Sequence, residues 1–180
     1  MKTLLKKIRD SHLKRVYKKR CKKIGAEYTQ GVVIGKNVKR LNKYVKVVLS
    51  ENSKIHDNVT IFGDGVIELG KNTSVGESSW IYANKNGGVK FGDNVNCAAN
   101  LYIIDSDHGT KKGILMNAQP MMSEKVNIGN DVWIGANVTI LKGVTLGDGC
   151  VVGACSCVTK SFANDSIICG VPAKVIKLRS

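Results

Sequence analysis

IGNDVW (128–133), IGANVT (134–139), ILKGVT (140–145), LGDGCV (146–151), VGACSC (152–157) and VTKSFA (158–163) stand end to end in the second half of this chain. An aliphatic residue opens each, and the register holds through all six hexads. A rougher tract carries the same period: VIGKNV (33–38), IHDNVT (55–60), IFGDGV (61–66), LGKNTS (69–74), VGESSW (75–80), FGDNVN (91–96), CAANLY (97–102) and IIDSDH (103–108). In each hexad the first residue points inward and the fifth is usually Val or small. The Gly, Asn and Asp between them suit a corner that needs positive φ. A hexad therefore reads as a short strand plus a corner, and three of them close a triangular coil of about 18 residues. Coils stack at about 4.8 Å, each strand pairing with the coils before and after it. Offsets near 67–68 and 81–90 predict turns one or a few residues longer than ideal.

Working outward, residues 31–108 and 128–163 make roughly six coils. The expected fold is all-β, a single-stranded parallel β-helix over 31–170. GTKKGILMNAQPMMSEKVN (109–127) breaks the period. A long interruption inside a compact domain is usually functional. Its Met116, Pro120, Met121 and Met122 predict an excursion loop that folds down on something apolar. The tail, 171–180, leaves the repeat after a turn at Gly170-Val171-Pro172. It carries an apolar stripe (Val175, Ile176, Leu178) with Lys174, Lys177 and Arg179 facing out.

At 180 residues the chain fits one domain, and 43% apolar content excludes a disordered polyelectrolyte. Only 6% of residues are aromatic, as a narrow interior would require. The formal charge of +14 is concentrated at one end: residues 1–23 hold eleven Lys or Arg against the single acid Asp10. This arm, 1–30, is predicted to be an amphipathic helix, with Leu5, Ile8, His12 and Val16 at helical spacing beside Leu4, Leu13 and Tyr17. Two uses are open to it, peripheral contact with an anionic membrane through residues 1–23 and packing of a solvated helix on the first coil. No aromatic interleaving accompanies the charge, so nucleic acid is not an expected partner. Six cysteines form no CxxC pair and read as reduced, buried small hydrophobes. No signal-peptide run and no spanning segment is visible, so a cytoplasmic protein is expected.

Three histidines, His12, His56 and His108, are far apart in sequence, which argues against a three-imidazole zinc centre. His108 is the catalytic candidate. It ends a hexad and opens the excursion, and an imidazole can take a proton from a hydroxyl or amine near neutral pH. Asp105 and Asp107 are candidates to orient its ring.

DSDHG (105–109), the excursion, 128–160 and GVPAKVI (170–176) together resemble the hexapeptide-repeat acetyltransferases of galactosides, maltose, serine, streptogramins and bacterial polysaccharides. The resemblance implies a left-handed β-helix, a homotrimer with active sites between subunits, and acetyl-CoA as co-substrate with no metal. It implies His108 as the catalytic base and Trp133 beside the pantetheine arm. Ala136 and Ala154 would offer backbone to the pantetheine amides. Thr159 and Lys160 would lie near the nucleotide, and Lys174 and Lys177 would meet its phosphates. Asn84, Asp105 and Asp107 would contact the acceptor. The implied reaction is direct O-acetylation of a sugar hydroxyl in surface polysaccharide or lipopolysaccharide synthesis. N-acetylation of an amino sugar, a xenobiotic acceptor, and a non-enzymatic membrane-bound scaffold are the alternatives.

Overall fold

A computed structural model describes the backbone of residues 2–180 and the side chains from Asp10 onward. One helix, α1 (Lys2–Lys23), precedes a left-handed β-helix of six coils. The first face stacks Glu27–Tyr28, Lys46–Leu49, Val66–Leu69, Val89–Phe91, Val126–Ile128 and Thr145–Leu146. The second stacks Val33–Ile34, Lys54–Ile55, Ser74–Val75, Asn96–Cys97, Trp133–Ile134, Val151–Val152 and Ser166–Gly170. The third stacks Lys39–Arg40, Thr60–Gly63, Trp80–Ala83, Tyr102–Ile104, Thr139–Ile140 and Cys157–Val158. All of these pairings are parallel. The first coil begins at Glu27, within the stretch read from sequence as arm.

Inward positions form continuous columns. Ile34, Ile55, Val75, Cys97, Ile134 and Val152 line one wall, and Ile61, Ile81, Ile103, Ile140 and Val158 another; none is more than 3% exposed. Burying an aliphatic side chain of this size contributes about 1.5–3 kcal/mol, so the columns are the main cohesive term. Corners are set by left-handed residues that are mostly asparagine: Asn37, Asn58, Asn72, Asn94, Asn100 and Asn137 all have φ between 53° and 61°. Asparagine tolerates this region, and its amide bonds the next coil, as in Asn72 to Asn94 at 3.1 Å and Asn100 to Asn137 at 3.0 Å.

The longer spacing in the rough tract comes largely from strands rather than turns. Lys46–Leu49, Thr60–Gly63, Val66–Leu69 and Trp80–Ala83 are four residues long, where the late repeats use two. Stacked residues are consequently 20–22 apart in the early coils and 18 apart later. The turns at 41–45 and 84–88 are themselves enlarged, the latter closed by Gly87 N–H to Asn84 C=O at 3.0 Å.

Three further expectations change. Charge runs around α1 instead of leaving a clean apolar stripe; its C-terminal end is held because Cys21 and Ile24 enter the core and Arg20 Nη1 donates to Ile34 C=O at 2.8 Å. The cysteines are not uniformly buried: Cys21, Cys97 and Cys150 are, but Cys155 and Cys169 are exposed and Cys157 half-buried. The tail strand Ala173–Leu178 pairs antiparallel with Ser166–Gly170, anchored by Arg179 on Asp131 Oδ2 at 2.9 Å and Gly149 C=O at 3.1 Å. Its stripe of Val175, Ile176 and Leu178 stays exposed. Among the described residues no helix is long and apolar enough to cross a membrane.

Candidate functional site

The chain turns from the third face back to the first at 41–45, 64–65, 84–88, 105–125, 141–144 and 159–161. These corners stack into one edge of the prism, here the return edge. His108 sits on it, exposed, at the end of the strand Ser106–His108. That strand pairs antiparallel with Met121–Ser123, placing His108 opposite Met121 and Asp107 opposite Met122. The excursion is thus an ordered hairpin. Gln119 clips it: Oε1 accepts Lys111 N–H at 2.8 Å, and Nε2 donates to the carbonyls of Lys111 at 3.1 Å and Ile114 at 2.9 Å. It does not fold down on apolar surface of its own chain; Leu115 is 76% and Met116 64% exposed.

Asp105 is fully buried and cannot touch an acceptor, which corrects its assignment as a binding residue. Its Oδ2 accepts the N–H of Asn84 at 2.7 Å and that of Gly88, while its carbonyl accepts Glu124 N–H at 2.8 Å. One residue, through its carboxylate and its carbonyl, thereby fastens the 84–88 turn to both ends of the excursion. Burial pushes its pKa up, opposed by the Gly88 and Asn84 bonds and by the nearby Ser106 hydroxyl. Neither Asp105 Oδ1 nor Ser106 Oγ makes a well-formed hydrogen bond among the described residues. A side chain at Gly87 would collide with this carboxylate, so the turn needs glycine there.

Asp107 is exposed and faces Lys142 Nζ at 3.7 Å, one coil further on. Among the described residues the His108 imidazole makes no hydrogen bond or ion pair, and Asp105 and Asp107 bond elsewhere, so neither aspartate orients its ring. The imidazole is open to whatever enters the edge. Asn84 is half-buried on the same edge, its main chain fixed by Asp105.

The remaining predicted residues form a second group. Ala136 and Ala154 stack on the edge between the second and third faces, with Cys155 N–H bonded to Ala136 C=O at 2.8 Å. A Cβ on Gly135 would lie 2.6 Å from Ala154 N, so this edge presents bare backbone. Trp133 is 57% exposed on the second face, lining a hollow of ≈ 370 Å³ with Asn96, Asp131, Val151 and Arg179. Lys174 and Lys177 project from the tail strand over the end of that face. Thr159 and Lys160 instead fall on the return edge, with Lys160 Nζ 5.8 Å from the Phe162 ring centroid. In one chain, then, His108, Asn84, Asp107, Thr159 and Lys160 lie along one edge, and Trp133, Ala136 and Ala154 lie across the third face from them.

Sequence reasoning did not single out three residues that lie near these groups. Trp80 and Tyr102, each 40% exposed, are neighbours in register on the third face, between the two groups. Their place as the sixth, outward residue of a hexad, the same as that of Trp133, could have revealed them. Lys142 carried no such signal, because only coil stacking brings it to Asp107.

The bacterial transferase hexapeptide family (six repeats) matches residues 125–160. A putative lipopolysaccharide biosynthesis O-acetyl transferase, WbbJ, of Escherichia coli (strain K12) is 30% identical over 94% of this chain and 85% of its own length. AntD, an N-acyltransferase from Bacillus cereus solved in complex with dTDP and 3-hydroxybutyryl-CoA, has a TM-score of 0.76 at 24% identity, covering 91% of this chain and 88% of its own. A maltose O-acetyltransferase from Clostridium difficile 630 has a TM-score of 0.57 at 26% identity, covering 87% and 70%.

Proposed function

This chain belongs to the bacterial hexapeptide acyltransferases, and from that premise we propose that it moves an acetyl group from acetyl-CoA to a sugar hydroxyl during surface polysaccharide or lipopolysaccharide synthesis. The observation that carries the reading is the unpartnered, exposed His108 at the mouth of an ordered hairpin. Its ring takes the acceptor proton, the freed oxygen attacks the thioester carbonyl, and the CoA thiolate leaves. Exposed backbone at Ala136 and Ala154 suits the amides of an extended pantetheine arm, much as a peptide adds to a sheet edge. Lys160, Lys174 and Lys177 supply charge for phosphates. Asn84 and Asp107 face the acceptor.

The two groups of residues lie on different edges, so a complete site takes His108 from one copy and the Trp133–Ala136–Ala154 side from its neighbour. A homotrimer meets that need. The exposed hairpin tip at Leu115 and Met116 supports it, being apolar surface that a neighbouring copy would cover. The enzyme is proposed to work on the cytoplasmic side, where acetyl-CoA is made. The likeness of fold to an N-acyltransferase is compatible with one second reading, an amino sugar as acceptor.

Calorimetric titration with acetyl-CoA, followed by a screen of sugars and amino sugars, tests both readings. His108→Ala should bind the donor as wild type does and lose transfer by about 10²–10⁴. Absence of donor binding by the folded protein, or full activity of His108→Ala, would sink the proposal.

A further inference from the structure

The cation-rich end of the prism has a shape that transfer chemistry does not call for. Eleven Lys or Arg lie in residues 1–23, and the first coil adds Lys36, Lys39, Arg40 and Lys43 against Glu27, which pairs with Lys46 of the second coil at 3.1 Å. Where α1 meets that coil, a cavity of ≈ 280 Å³ is lined by Arg20, Lys23 and Lys36 with no carboxylate. A larger groove of ≈ 730 Å³ runs along the other flank of the helix, with Leu13, Tyr17, Val32 and Val33 in its wall and Lys14 and Lys18 at its rim. Its two acids are Asp10 and Glu51, and Glu51 is engaged by Gln30 at 2.6 Å.

A second, independent feature lies at the same end. The 41–45 corner projects Leu41, 53% exposed, and Tyr44, 67% exposed, with Lys43 Nζ 5.1 Å from the Tyr44 ring centroid. This loop is built: Tyr44 N–H donates to Asn42 Oδ1 at 3.0 Å, and Arg40 Nη1 donates to Val45 C=O at 3.4 Å. The same guanidinium fills the space a Cβ on Gly25 would need, so the end of α1, the first coil and the loop hold together. An exposed Leu and Tyr among lysines is chemistry suited to a bilayer interface, where the ring sits at headgroup level and basic stems reach lipid phosphates.

We propose that the N-terminal end of this β-helix docks on an anionic phospholipid bilayer, with α1 and Lys43 on the headgroups and Leu41 and Tyr44 inserted at the interface. The 41–45 corner belongs to the return edge, as does His108. With coils spaced about 4.8 Å, the catalytic corner stands about 14 Å above the first coil. Resting on the function proposed above, this orientation puts His108 within reach of a glycan whose lipid anchor stays in the membrane.

Co-sedimentation of the full chain with vesicles of equimolar phosphatidylcholine and phosphatidylglycerol tests the docking without donor or acceptor. Its failure is therefore separate from failure of the enzymatic reading, which the acetyl-CoA titration reports. Binding should be roughly tenfold or more tighter than to pure phosphatidylcholine and should weaken at high salt. Joint Leu41→Asp and Tyr44→Asp substitution should weaken it by roughly tenfold or more while leaving circular dichroism and particle mass unchanged. The milder Leu41→Ser with Tyr44→Ser should weaken it in the same direction. Lys14→Glu with Lys18→Glu should lower the preference for phosphatidylglycerol. Equal binding to both vesicles, or none, overturns the proposal. So does undiminished binding by the loop variants, a change of particle mass in them that marks a contact between copies, or capture of RNA in place of vesicles.

Discussion

Replacing Asp105 by alanine should open the return edge without unfolding the prism. The substitution removes the oxygen that accepts from Asn84 and Gly88, leaving one half-buried and one buried donor unpaired. A hydrogen bond to a charged group is worth about 1.5–3 kcal/mol net. Allowing for water entering the vacated space, the 84–88 turn should lose about 3 kcal/mol of local stability, close to a hundredfold in opening constant. Hydrogen–deuterium exchange reads this directly, with faster exchange at Asn84 and Gly88 and little change at Thr139, whose N–H pairs with Ser156 C=O a coil away. Asp105→Asn keeps an acceptor in place and should retain most of the protection. It also carries a pH signature. Burial raises the Asp105 pKa above the ordinary carboxylate value, so the folded state holds that proton more tightly than the unfolded chain. The resulting stability is full below the ordinary value and is lost as pH rises through the raised one. Asp105→Asn, uncharged throughout, should be free of that loss. Unchanged protection in Asp105→Ala, or equal loss at Thr139 and Asn84, would refute the staple.

Gly135→Ala should lower the melting temperature through a cost of about 1–3 kcal/mol, because the added Cβ meets the Ala154 backbone at 2.6 Å, which cannot yield as a flexible side chain would. Asn137→Ala should cost about 1–2 kcal/mol by thermal denaturation, since φ is 57° there, and Asn137→Gly should cost less. A thiol reagent near pH 8 should modify exposed Cys155 and Cys169 quickly and spare Cys97, whose pKa burial pushes up to about 12.

The period of six is a local property. Each hexad carries its own inward aliphatic and its own corner residue, so IGNDVW through VTKSFA specify strands, corners and stacking without reference to the rest of the chain. His108 was legible for the same reason, as the last residue before the period breaks. What lies beside what along an edge depends instead on how many residues each coil spends. Stacked partners are 20–22 apart early, 37 apart across the excursion and 18 apart after it. Only that tally brings Lys142 to Asp107, Asn84 to Asp105, and the 41–45 corner onto the edge of His108. Strand alternation with a corner between also turns Asp105 inward while Asp107 and His108 stay exposed, a difference of environment invisible in DSDH. The sequence alone thus determined the coil and singled out the candidate base. The tertiary structure decided which carboxylate is buried and which residues share an edge, because stacking couples positions that no short-range pattern relates.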